Sequence, residues 1–96
     1  MSHFVFLGKL THQGITGIKD VKKRYEAFKQ LVESKKGKVL ADCVTLGRYD
    51  YVFVVDLPNS KAALEVSVAM GIRGNVTFET LRAFPFREFV RVAEKA

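Results

Sequence analysis

Leu46-Gly47-Arg48-Tyr49-Asp50-Tyr51-Val52-Phe53-Val54-Val55 is the stretch on which the fold turns. Gly47-Arg48 reads as a two-residue turn, with glycine at the first central position that a type II′ hairpin asks for. Residues 51–57 then run on as a continuous β-branched and aromatic segment, the pattern of a strand covered on both faces. Upstream, residues 38–46 alternate loosely and pair back across the turn. The two form a hairpin in the middle of the chain.

The flanks place that hairpin in a larger order. Residues 3–10 are β-branched and aromatic and read as a first strand, ended by Thr11-His12-Gln13-Gly14 as a loop. Ile18, Val21, Tyr25, Phe28 and Val32 recur at steps of three or four, with Leu31 widening the stripe, so a helix follows. Thr16 and Asp20 both suit its N-cap; Lys35-Lys36 and Gly37 mark its end. Pro58-Asn59-Ser60 stops the hairpin's second strand and caps a second helix over residues 61–70. Residues 71–75 connect to a fourth strand, 76–84, and residues 86–95 suit a short C-terminal helix with Phe86, Phe89, Val90 and Ala93 on one side. The order β-α-β-β-α-β, with right-handed crossovers, predicts an α+β ferredoxin-like domain: a four-stranded antiparallel sheet, both helices on one face, the other face open.

The hairpin turn also pairs residues across strands. It sets Leu46 opposite Tyr49, Val44 opposite Tyr51 and Asp42 opposite Phe53. Small and β-branched Val39, Ala41, Cys43, Val52 and Val54 are assigned to the helix side. Phe4, Phe6, Leu40, Asp42, Val44, Tyr49, Tyr51 and Phe53 are then expected on the open face, joined from the fourth strand by Thr77 and Glu79, with Phe78 in the core. Apolar aromatics in water make an association surface. A second copy packed sheet to sheet covers them, as a homodimer or a higher oligomer, and leaves a small-molecule pocket between the sheets.

Composition narrows the rest. At 96 residues the chain is a single domain, and 48% apolar content suits a globular one. The apolar start is too short to cross a membrane, and the lone Cys43 makes no internal disulfide, so a cytoplasmic protein is expected. Sixteen Lys and Arg against ten Asp and Glu leave a net charge of +6, much of it along the polar face of the first helix. His3 and His12 lie apart from any cysteine pair, so no zinc spacing is present. No metal and no cofactor is expected.

Three stretches, spaced in order, carry a family resemblance. They are Thr11-His12-Gln13-Gly14-Ile15, Thr45-Leu46-Gly47-Arg48-Tyr49-Asp50, and Gly74-Asn75-Val76-Thr77-Phe78-Glu79-Thr80-Leu81-Arg82-Ala83-Phe84. The chain resembles the GYD-domain proteins from residue 4 to about residue 89. The resemblance implies a dimeric α/β barrel of ferredoxin-like subunits and implies no activity.

The candidate ligand-binding residues are Asp42, Tyr49, Asp50, Tyr51, Thr77, Glu79 and Arg82. Asp42 and Glu79 on one face would bind a metal, shift each other's proton affinity, or, as the structural alternative, pair with Arg82 or Lys9. Asp50 has a structural alternative, its carboxylate accepting backbone N–H groups at the turn. Residues 71–75 read as a plain connection, although Arg73 there suits an anion. The leading functional reading is a small-ligand-binding or sensing dimer. A cofactor-free enzyme is the first alternative, resting on fold analogy because no nucleophile–base pair is evident. An RNA-binding domain is the second, since strand aromatics stack bases, but Asp50 between Tyr49 and Tyr51 opposes phosphate. An acylphosphatase is excluded, because residues 11–17 carry no arginine.

Overall fold

β-Branched and aromatic runs separated by two helical stripes produce four strands and two long helices. A computed structural model describes all 96 residues. In chain order these are β1 (Ser2–Leu10), α1 (His12–Thr16), a 3-10 turn (Ile18–Asp20), α2 (Val21–Ser34), β2 (Lys38–Val44), β3 (Tyr51–Leu57), α3 (Ser60–Ile72), β4 (Val76–Ala83) and α4 (Phe86–Lys95). The strands form one antiparallel sheet in the order β2-β3-β1-β4. This is the ferredoxin-like arrangement, with α2 and α3 on one face. No helix is long and apolar enough to cross a membrane.

Two of the three expected cross-strand pairs are present, Val44 opposite Tyr51 and Asp42 opposite Phe53; β2 ends at Val44, so residues 45–50 form a longer connection and Leu46 does not pair with Tyr49. The face assignment is inverted. Phe6 is fully buried and Phe53 is 7% exposed, both within the core that α2 and α3 cover. Phe28 from α2 meets Phe6, Phe53 and Phe78 at ring-centroid distances of 5.6, 4.8 and 5.7 Å. Tyr51 stacks on Phe53 at 5.4 Å and belongs to the same side. Phe4, Phe6, Tyr51 and Phe53 therefore face the helices, and Val52, Val54, Ala41 and Cys43 take the open face. The physical reason is volume. The wide gap between sheet and helices is filled by flat rings that pack edge to face, while the β-branched residues cover the flatter outer surface. Val39 packs against the core as expected, because a bulge at Leu40 shifts the β2 register between Val39 and Ala41. Phe78 also packs there, and Thr77 and Glu79 lie outside it, as expected.

The open face is ordered in rows. One runs Cys43, Val52, Leu7, Glu79; the next runs Ala41, Val54, Val5, Leu81. A third pairs Asp56 with His3, whose Nδ1 bonds the Asp56 carboxylate. An aliphatic band thus crosses the sheet between polar ends.

Two local features differ from the sequence expectation. Residues 12–16 form α1 rather than a loop, because the Thr11 side chain accepts the Gly14 N–H at 3.0 Å and caps a short helix. At the end of α2 the left-handed position is Lys36, with φ 65°, and not Gly37. Gly37 N–H bonds Val32 and Lys36 N–H bonds Glu33, both at 2.9 Å, the paired bonds of a Schellman stop. At the C-terminus, α4 contributes no buried residue. Phe86 and Phe89 are 76% and 61% exposed, on the apolar side of an amphipathic helix none of whose residues is buried.

Candidate ligand-binding site

The Gly47–Asp50 turn is a clamp on the end of β1. Gly47 takes φ +110°, which a side chain would strain. The Thr45 hydroxyl donates to the Tyr49 carbonyl at 2.7 Å, and Thr45 N–H donates to the Asp50 carbonyl at 2.8 Å. Asp50 then reaches β1 twice. Its N–H donates to the Gly8 carbonyl and its carboxylate accepts the Leu10 N–H, each at 2.8 Å. The Asp50 carboxylate thus accepts an N–H of the neighbouring strand, rather than the N–H groups of the turn expected for its structural role.

Directed by that clamp, the chain enters α1 beside the α3–β4 connection. Thr11 N–H donates to Asn75 at 3.1 Å, and the Thr11 hydroxyl donates to Gly74 at 2.6 Å. The Gln13 amide bridges the Arg73 carbonyl and the Asn75 side chain, each at 3.0 Å. Gly14 is held so close that any Cβ would overlap the Asn75 carbonyl oxygen. Two of the three resemblance-bearing stretches are thus bonded into one corner.

Next to this corner lies a cavity of about 300 Å³, between the N-terminal half of α2, the C-terminal end of α3 and the helix side of the sheet. Buried Phe28, Phe53, Met70 and Val76, with half-buried Phe78, make its floor. Exposed Lys22, Asp42 and Arg73 stand at the rim, beside Arg24 and Tyr25. Arg24 is fixed in place: its guanidinium donates to the Gly14 carbonyl at 2.8 Å and the Gly17 carbonyl at 2.6 Å. The Tyr25 hydroxyl donates to the Asp42 carboxylate. Burial first, and then the Asp42 carboxylate, push the Tyr25 phenol up to about 12. Burial also raises the Tyr51 phenol, with the positive charge of Arg24 acting in the opposite sense.

The sequence-predicted residues do not gather at one place. Asp42 and Tyr51 line the cavity, with Val44, and so lie on the helix side rather than the open face. Asp50 sits behind it in the turn. Glu79 is on the open face of β4, where it accepts the Tyr49 hydroxyl, a bond that raises the Tyr49 phenol. Asp42, on the helix side of β2, and Glu79 lie at opposite edges and on opposite faces of the sheet, so they form no carboxylate pair. Thr77 is exposed and directs its hydroxyl to the Lys9 carbonyl at 3.5 Å. Arg82 lies 4.1 Å above the Phe84 ring and 5.6 Å from Phe4. No three His, Cys, Asp or Glu side chains come together as a metal cluster. The aromatic platform that an RNA-binding reading needs is beneath the helices. Sequence reasoning missed Lys22, Arg24 and Tyr25 as cavity residues. Arg73 suits an anion by its own chemistry, but its neighbours on α2 are separated from it by half the chain.

An open-faced ferredoxin-like domain with a Gly-Arg-Tyr-Asp turn clamped to β1 defines the structural class. The chain belongs to the GYD-domain family, whose pattern matches residues 4–93. It is 29% identical over 91 residues to the glutamine synthetase and cystathionine beta-lyase binding protein of Thermus thermophilus, an alignment spanning 94% of this chain and 96% of that protein.

Proposed function

We propose that this protein works by binding other proteins, as a homodimer joined through its open sheet faces. The observation that carries the reading is the aliphatic band of Val5, Leu7, Val52, Val54 and Leu81 on the open face, half-buried except for exposed Leu81. Full burial of such a side chain is worth about 1.5–3 kcal/mol, of which the dimer adds the part still exposed, and a two-fold packing of identical faces covers the whole band at once. In the dimer, α4 remains a second apolar surface, free to lie on a partner. The similar Thermus protein is described as binding two metabolic enzymes. By analogy, cytoplasmic enzymes of amino-acid metabolism are the partners proposed here. A single free cysteine, exposed on the sheet, suits that reducing compartment.

Light scattering tests the first half: the wild type runs at twice the chain mass, and Val54→Asp at the chain mass with an unchanged circular dichroism spectrum. A wild-type monomer ends the dimer reading. Interferometry against purified glutamine synthetase and cystathionine beta-lyase from the same organism tests the second. Saturable binding to at least one supports it, weakened by Phe86→Ala plus Phe89→Ala; no binding to either removes it.

A further inference from the structure

We infer that the cavity between α2 and the sheet binds a small carboxylate with an aromatic or branched apolar body. This goes beyond the protein-partner reading and stands without it.

The floor selects the body. Phe28, Phe53, Phe78 and Met70 offer no hydrogen-bonding group, so a sugar or nucleoside would leave its hydroxyls unpaired there. A volume of about 300 Å³ is at the small end of ligand pockets and suits one ring or one branched chain.

The rim selects the head group. Lys22, Arg24 and Arg73 bring three cations to the mouth against one carboxylate, Asp42. None of the three is ion-paired: the salt bridges of the chain are His3–Asp56 and Lys35–Glu65. Asp42 already accepts the Tyr25 hydroxyl. Arg24 is pinned by two neutral carbonyls, which hold its guanidinium without neutralising it. Two of the five N–H groups of Arg24 are used on those carbonyls, and the other three, held in a fixed plane, remain for a carboxylate. An amine would meet a net positive mouth, and a neutral amide would leave the cations unmatched.

The test is calorimetric titration of the full chain with hydrocinnamate and isocaproate, beside hydrocinnamamide and phenethylamine as neutral and cationic controls. Both carboxylates bind saturably, and the amide and amine bind at least roughly tenfold more weakly, the scale of one lost charge-assisted bond. Arg73→Gln and Lys22→Gln alter exposed rim residues and leave the fold intact. Each weakens the carboxylates by roughly tenfold and leaves amide binding unchanged. Amide resonance shifts on hydrocinnamate binding map to Tyr25, Phe28 and Tyr51. Equal affinity for hydrocinnamate and its amide overturns the inference. So does the absence of saturable binding by either carboxylate, or a shift map centred on Val5 and Val54.

Discussion

The Asp50 carboxylate accepts the backbone N–H of Leu10 at 2.8 Å, while the Asp50 N–H bonds the Gly8 carbonyl further back along the same strand. One side chain thus joins the β2–β3 turn to the last residue of β1. It sets the direction in which the chain enters α1 and, through Thr11 and Asn75, one wall of the cavity.

Asp50→Ala leaves that strand-end N–H without its charged acceptor. A loss of about 1.5–3 kcal/mol is expected, with Asp50→Asn milder because an amide oxygen remains to accept. Urea unfolding measures it; a change in Asp50→Ala within about 0.5 kcal/mol, the range of an ordinary surface substitution, would show the clamp to be incidental.

Lys36 occupies a left-handed conformation that penalises a side chain by about 1 kcal/mol or more. Lys36→Gly keeps both bonds of the helix stop and removes the strain. The melting temperature should rise by about 4–8 °C per kcal/mol gained in a domain of this size. An unchanged or lower value would mean that the Lys36 side chain compensates in a way its exposed position does not suggest.

The two sheet faces should respond to different measurements. Phe53→Ala opens a hole in the aromatic core and lowers stability by about 3–5 kcal/mol at any protein concentration. Val54→Asp, one residue along and on the other face, should instead abolish the dependence of unfolding on protein concentration that a dimer carries. If Val54→Asp proved the more damaging of the two in a monomer, the face assignment would be wrong.

All three tyrosines have phenols shifted upward, Tyr25 to about 12. A phenol raised in the folded state stabilises the fold fully below its unfolded value of about 10, and that contribution disappears as pH rises through the folded value. Stability should therefore fall between pH about 10 and about 12. In Tyr25→Phe the fall should shrink. Phenolate absorbance gives a direct check: the native protein ionises later than the urea-unfolded chain, and coincident curves would contradict the burial of Tyr25 together with its bond to Asp42.

Much of this molecule is readable in its local chemistry. The register that pairs Val44 with Tyr51 is the one expected from a turn centred on Gly47-Arg48, although the connection itself spans residues 45–50. Asn59 before α3 and the spacing of Phe28 and Val32 in α2 likewise act within a few residues. So the order of elements and the fold follow from them. The Thr11 cap of α1 was equally local, but its helix is only five residues long and carries no apolar stripe to announce it.

Facing is another matter. Side chains alternate with a period of two, so every strand offers two sets, and here both sets are apolar. Phe4, Phe6, Tyr51 and Phe53 compete with Val5, Val52 and Val54 for the helix side. The winner depends on the volume between sheet and helices, which Phe28 and Phe78 fill from distant parts of the chain. The same holds for the cavity. Lys22 and Arg24 share α2, but Asp42 and Arg73 are distant from them in sequence, and packing of α2 against the end of α3 is what brings their charges to one mouth.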